Sequence, residues 1–196
     1  MAAAKKYVNQ KHMLQYSLSE QLVHGMRVSN LAYGVAKELG LSEDFCYDCA
    51  VAGMLHDIGK ELVSGELDEK EERLIIEEIH YVRLHAQASY EILKKRGYSQ
   101  RIQETVRYHH ENMDGSGYPE NLSGEGIPLG AKIIRVCDVY AALTSDRPYR
   151  TAFDKKTAME LMIEDIKDFD VKVFLAFQRY IHSHEEKEIT LPSIYL

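Results

Sequence analysis

His109-His110-Glu111-Asn112-Met113-Asp114-Gly115-Ser116-Gly117-Tyr118-Pro119 is the stretch on which the fold turns. Helical periodicity leads into it from Ser99, a good N-cap, and stops after His110. Residues 111–129 then carry Gly115, Gly117, Gly124, Gly126, Pro119 and Pro128, the composition of a structured loop rather than of an element. On both sides of this loop the apolar residues recur at helical spacing, with no convincing period-two strand. The expectation is an all-α bundle of seven or more helices, interrupted by one Gly/Pro-rich loop.

Working outward, Ser17-Leu18-Ser19-Glu20 opens a helix through Leu39, with Leu22, Val23, Met26, Leu31 and Val35 as its apolar residues and Gly40 as its stop. Ser42 caps a second helix, running through Cys46, Cys49, Ala50 and Leu55 toward Gly59. A helix from about Asp68 to Ile79 and another from Val82 to Arg96 follow, the latter ended by Gly97. Beyond the loop, helices are expected from Leu129 to Thr144, from Lys155 to Ile166 and from Val171 to His182. Residues 1–16 read as a lead-in or linker helix or a dimer contact, 17–185 as one domain and 186–196 as a tail.

Composition narrows the function classes. A chain of 196 residues with 45% hydrophobic content and four prolines is long enough for one globular core. No run of about 18 apolar residues suggests a membrane helix, and the first ten residues lack the apolar centre of a signal peptide. The expectation is therefore a cytoplasmic protein. A net charge of −7 argues against binding of polymeric nucleic acid, but not against a small anion met by bound cations. Cys46 and Cys49 form a C-x-x-C on a helix, where positions three apart share a face; both read as core packing.

The chemistry sits in a scattered set of imidazoles and carboxylates. Glu20 and His24 are one helical turn apart and can share an ion. The apolar run Ala50–Leu55 delivers His56-Asp57-Ile58-Gly59-Lys60 to one place, and burying such groups without partners would cost several kcal/mol. His85 lies on a later helix; His80 is five residues away, which is not a same-face spacing. His109 and His110 differ by about 100° on a helix, so a shared site must lie astride it. Asp138 follows the apolar stretch Ile133-Ile134-Arg135-Val136-Cys137 and precedes Arg147-Pro148-Tyr149-Arg150, whose arginines suit phosphate. This density of nitrogen and oxygen donors suits two or more first-row metal ions.

The H-D pair, the later H-H-E, the D-G-x-G-Y-P loop and the D…R-P-Y-R ending together resemble the HD-GYP family of HD phosphohydrolases, over about residues 17–180. That resemblance implies a metal-dependent phosphodiesterase cleaving cyclic di-GMP to linear pGpG and/or GMP through a hydroxide held between metals. It implies metal ligands at His24, His56, Asp57, His85, His109, His110 and Asp138, with Asp57 bridging. Glu20 matches the extra ligand of members that hold three ions rather than two. Lys60 corresponds to the lysine beside the catalytic water, so the catalytic pair is Asp57 and Lys60. Tyr118, Arg147 and Arg150 match substrate-side positions, although Tyr118 serves equally as loop packing.

Iron or manganese is the expected metal; the ligand types alone also permit zinc, nickel or cobalt. The expected partner is the cyclic dinucleotide itself, with neither nucleic acid polymer nor membrane; the oligomeric state is left open, a homodimer being one option. Two alternatives stand beside this reading: another cyclic dinucleotide or nucleotide as substrate, or a non-catalytic metal-containing binding module. The sequence departs from the family at Glu61–Glu69, at Ser89 in place of a glycine, at Asn112 in place of an arginine, and at Ala141 in place of an aspartate. None of these removes a ligand.

Overall fold

The computed structural model describes residues 18–60, 75–147 and 150–183. It contains α1 (Leu18–Glu38), α2 (Glu43–Leu55), α3 (Ile75–Lys95), α4 (Gln100–Arg107), α5 (Leu129–Leu143), α6 (Lys155–Glu164) and α7 (Val171–Ser183). Short 3-10 turns lie at Gly124–Gly126 and Ile166–Asp168. Among the described residues the only β pairing is an isolated bridge between Arg147 and Arg150, so the expected all-α class holds. No helix among them is long and apolar enough to cross a membrane.

Local chemistry sets most of the boundaries. The Ser42 and Ser99 hydroxyls accept the Phe45 and Ile102 N–H groups, each at 3.3 Å, and Asp154 caps α6 through Thr157 N–H at 3.0 Å. α5 is the central helix. Ala131, Ile133, Ile134, Val136, Cys137, Tyr140 and Ala141 are all buried, so it is covered on every side. Around it pack α1 through Val28, Leu31 and Val35, α2 through Cys46 and Cys49, and α7 through Phe174 and Phe177. The cysteines are free and buried, as core residues.

Three expected boundaries are corrected. The helices placed at 68–79 and 82–96 are one continuous α3 from Ile75 onward; no glycine or proline lies between Ile75 and Lys95 to interrupt it. The second helix ends at Leu55 rather than near Gly59, and the fifth ends at Arg107 rather than His110. In both cases the chain turns just where its polar donors begin. The lead-in at 1–16, the departing stretch Glu61–Glu69, the Pro148-Tyr149 pair and the tail at 186–196 lie outside the described residues.

α1 and α2 approach so closely that Gly53 has no room for a side chain. A Cβ there would come within 2.8 Å of Ser29 N and 2.9 Å of Ser29 Cα. Gly53→Ala is expected to destabilise the domain by about 1–3 kcal/mol, the usual range for overpacking, read as a lower denaturation midpoint. An unchanged midpoint would show that the two helices separate freely.

Candidate metal centre

Five elements contribute to one buried cluster. His24 comes from α1 and His85 from α3, while Asp138 projects from the middle of the buried α5. His56 and Asp57 occupy the turn that follows α2, and His109 and His110 the turn that follows α4. Leaving the helix resolves the problem of two adjacent histidines. Their rings lie 4.0 Å apart at 42°, both turned toward the same cluster instead of diverging around a helix.

The donor atoms form two groups that share Asp57. In one group, His24, His56 and Asp57 offer ligand atoms all within 4.8 Å of one another; in the other, Asp57, His85, His109 and His110 do. Asp57 Oδ2 lies 3.3 Å from His56 Nε2 and 4.0 Å from His24 Nε2, while Oδ1 lies 3.3 Å from His85 Nε2. Each oxygen of one carboxylate thus faces a different set of imidazoles. Asp138 Oδ1 stands 2.9 Å from His24 Nε2 and 3.7 Å from His56 Nε2, closing the first group. In the second, His85 Nε2 lies 3.5 Å from His109 Nε2 and 3.2 Å from His110 Nε2.

Backbone carbonyls fix the ring orientations. His56 Nδ1 donates to the Gly53 carbonyl at 2.8 Å, and His109 Nδ1 donates to the Val106 carbonyl at 2.6 Å. A proton held on Nδ1 leaves the Nε2 lone pair pointing into the cluster, the arrangement of a prepared metal ligand.

Electrostatics points the same way. Burial works against charge at His56, but Asp57 and Asp138 outweigh it and push its pKa up to about 10. Burial likewise opposes ionisation of Asp57 and Asp138; nearby cationic partners, His56 among them, still hold both well below the usual carboxylate range. Burial, then the charges of His56 and His85, lowers His109 to about 3. With protons as the only cations, a protonated His56 and Lys60 stand against the two carboxylates. His24 Nδ1, His56 Nε2 and Asp57 Oδ1 are also buried with no hydrogen-bond partner. Buried polar atoms without partners are costly, and divalent cations among these nitrogen and oxygen donors would satisfy the Nε2 and carboxylate sites. The residues fit such ions.

The remaining predicted residues divide. Lys60 Nζ pairs with Asp57 Oδ2 at 2.5 Å, at the edge of the cluster. Tyr118 stacks on His110, with ring centroids 4.7 Å apart at 26°, and burial raises its pKa, so at neutral pH its phenol is protonated. Glu20 is exposed, one turn before His24, and stands outside both donor groups. Arg147 and Arg150 are joined by their own backbone hydrogen bonds. The Arg150 guanidinium donates to the Leu143 carbonyl at 3.0 Å and the Ala142 carbonyl at 2.6 Å, capping the end of α5.

Several residues outside the expected ligand and substrate sets support the cluster. Arg27, three residues after His24, donates to the Thr144 carbonyl at 3.1 Å and to Ser145 Oγ at 2.6 Å, tying α1 to the end of α5 and so His24 to Asp138. Ser89 accepts the Gly59 N–H at 2.8 Å and holds the turn containing Asp57 against α3. Glu111 is buried and accepts the Glu120 N–H at 2.7 Å, and Tyr118 N–H donates to the His110 carbonyl at 3.1 Å, so the glycine-rich loop folds back onto the double histidine. Gly117 permits this contact, because a Cβ there would fall against the backbone of Glu111 and Asn112. Gly117→Ala is expected to cost about 1–3 kcal/mol by overpacking and to weaken metal retention as His110 shifts, measured by denaturation and elemental analysis. Unchanged values in both would detach the loop from the site.

Comparison with known proteins agrees with this geometry. The family model for the HD domain matches residues 8–173. A cyclic di-GMP phosphodiesterase of Pseudomonas aeruginosa is 37% identical over 160 residues, covering 81% of this chain and 39% of its own length. A 3'3'-cGAMP-specific phosphodiesterase of Vibrio cholerae is 34% identical over 143 residues, covering 73% of this chain and 33% of its own. The chain therefore spans well under half the length of these relatives. A solved HDG"Y"P protein of Bdellovibrio bacteriovorus shares the fold, with a TM-score of 0.65 at 18% identity over 85% of this chain and 55% of that one. With its HD pair, double histidine and Gly-Tyr-Pro loop folded into one cluster, the chain belongs to the HD-domain family and, within it, to the HD-GYP branch.

Proposed function

We propose that residues 17–185 form a metal-dependent phosphodiesterase that hydrolyses cyclic di-GMP to linear pGpG and/or GMP. The observation that carries this reading is Asp57, whose two oxygens face two separate groups of imidazoles, as a carboxylate bridging two ions requires. His24, His56, Asp57 and Asp138 would hold one ion, and Asp57, His85, His109 and His110 the other. Glu20, one turn before His24, would help to hold a third.

Iron or manganese suits these donors, since the set contains nitrogen and oxygen but no thiolate, and the three cysteines are buried in the core. Zinc, nickel or cobalt would satisfy the same ligands. The free thiols fit a reducing, cytoplasmic setting.

Bound divalent ions would supply charge neutralisation at the scissile phosphate and an activated water nucleophile. The chain's own residues do the rest. Lys60, held at the cluster edge by Asp57, orients the nucleophile and assists proton movement there. Arg147 binds the phosphate oxygens as their charge grows. Arg150 supports that loop through its cap on α5, and Tyr118 forms a wall of the pocket beside His110. A hybrid cyclic dinucleotide is the second reading, favoured by the 34% identity to the relative named for 3'3'-cGAMP.

Turnover of cyclic di-GMP by the protein loaded anaerobically with Fe(II) or Mn(II) tests the proposal, with 3'3'-cGAMP in parallel. Asp57→Ala is expected to lose metal from both groups and to lower turnover roughly hundredfold or more. Arg147→Ala is expected to keep its metal and to lose about ten- to hundredfold in kcat/KM. Equal metal loss in both variants would overturn this division of roles. Glu20→Gln is expected to reduce the metal content by one ion while the pair at Asp57 stays filled; unchanged stoichiometry would leave a two-ion site.

A further inference from the structure

We propose that Arg83 is a specificity-determining residue, receiving the second phosphate of a cyclic dinucleotide while the first is held at the metal centre. The inference deepens the functional reading above and rests on it. Arg83 lies on α3 two residues before His85 and is exposed to solvent. Its guanidinium carbon stands 5.2 Å from the centroid of the Tyr118 ring. That ring stacks on His110, whose Nε2 is 3.2 Å from that of His85. Guanidinium, phenol and imidazole therefore form a continuous path from solvent to the second donor group.

Three other arginines near the centre are engaged in holding the fold. Arg27 bonds Thr144 and Ser145, Arg135 bonds Asn112 at 2.9 Å, and Arg150 caps α5. Among the described residues no carboxylate lies within ion-pair distance of Arg83. Its contact with Tyr118 holds it over the ring while leaving the planar N–H fork available to an anion.

The substrate's chemistry supplies the reason for such a group. A cyclic dinucleotide is a closed ring with two phosphodiesters, and only one can be at the reacting centre. The other keeps its charge beside a protein whose own net charge is −7, where a fixed cation offsets repulsion and sets the orientation of the ring. A simple diester with one phosphate would not use that contact. Arg83 should thus distinguish cyclic dinucleotides from small diesters without touching the chemical step.

The test compares metal-loaded wild type, Arg83→Met and Arg83→Lys on cyclic di-GMP and on bis(p-nitrophenyl) phosphate, with equilibrium dialysis of cyclic di-GMP alongside. Arg83→Met is expected to raise KM and Kd for cyclic di-GMP by about five- to twentyfold, the scale of one lost charge-assisted contact. Its kcat should stay within about twofold of wild type, its kcat/KM on the simple diester should be unchanged, and Arg83→Lys should restore part of the affinity. Unchanged KM and Kd, or equal losses on both substrates, would overturn the role of Arg83. A wild type that cleaves the simple diester but neither binds nor cleaves any cyclic dinucleotide would overturn the functional reading itself. If the domain binds without turnover, the ratio of Kd values decides the role of Arg83 by the same margins.

Discussion

The carboxylate of Asp57 is buried among imidazoles, with a different histidine group at each of its oxygens, and the rest of the domain is organised around that burial. Two ionised carboxylates, Asp57 and Asp138, share an interior space with five histidines. Taking such charges out of water is costly unless cations compensate them. Lys60 and a protonated His56 supply that compensation when protons are the only cations present. The donors left without hydrogen-bond partners are disposed where divalent ions would satisfy them.

The helices serve this centre by ending at the right places. α2 stops at Leu55 and α4 at Arg107, and each following turn carries two donors into the cluster. Beneath them the apolar core around α5 supplies rigidity, and Asp138 projects from that helix into the cluster. The turns are pinned individually: His56 and His109 to carbonyls three residues back, Gly59 to Ser89, and the glycine-rich loop to Glu111 and His110. Such anchoring keeps ligand atoms in position with little further ordering, which is how a protein raises the affinity of a metal site.

Two of the departures from the family pattern, Ser89 and Asn112, fall in these supports rather than among the donors. Ser89, where a glycine is usual, contributes a buried hydroxyl to the Asp57 turn. Asn112, where an arginine is common, bridges Arg135 and Ser116 at 2.9 Å each. Ala141 lies in the core of α5, so a carboxylate at that position would be buried among apolar neighbours. Ser89 and Asn112 both act on the turns and loop around the cluster and leave its donor side chains in place.

The sequence by itself determined the helical class, the two helix starts capped by Ser42 and Ser99, the loop after His110 and most of the residues that meet in the cluster. These follow from local periodicity, capping chemistry and an ordered motif, all properties of neighbouring positions. Only tertiary structure decided that His109 and His110 leave α4 and turn together, that α3 runs unbroken from Ile75, and that Asp57 faces two groups at once. It also separated Arg150, which caps α5, from the residues at the centre, and brought Arg83 over Tyr118. Those outcomes depend on contacts between residues far apart in the chain, where packing and charge balance choose among local conformations that the sequence permits equally.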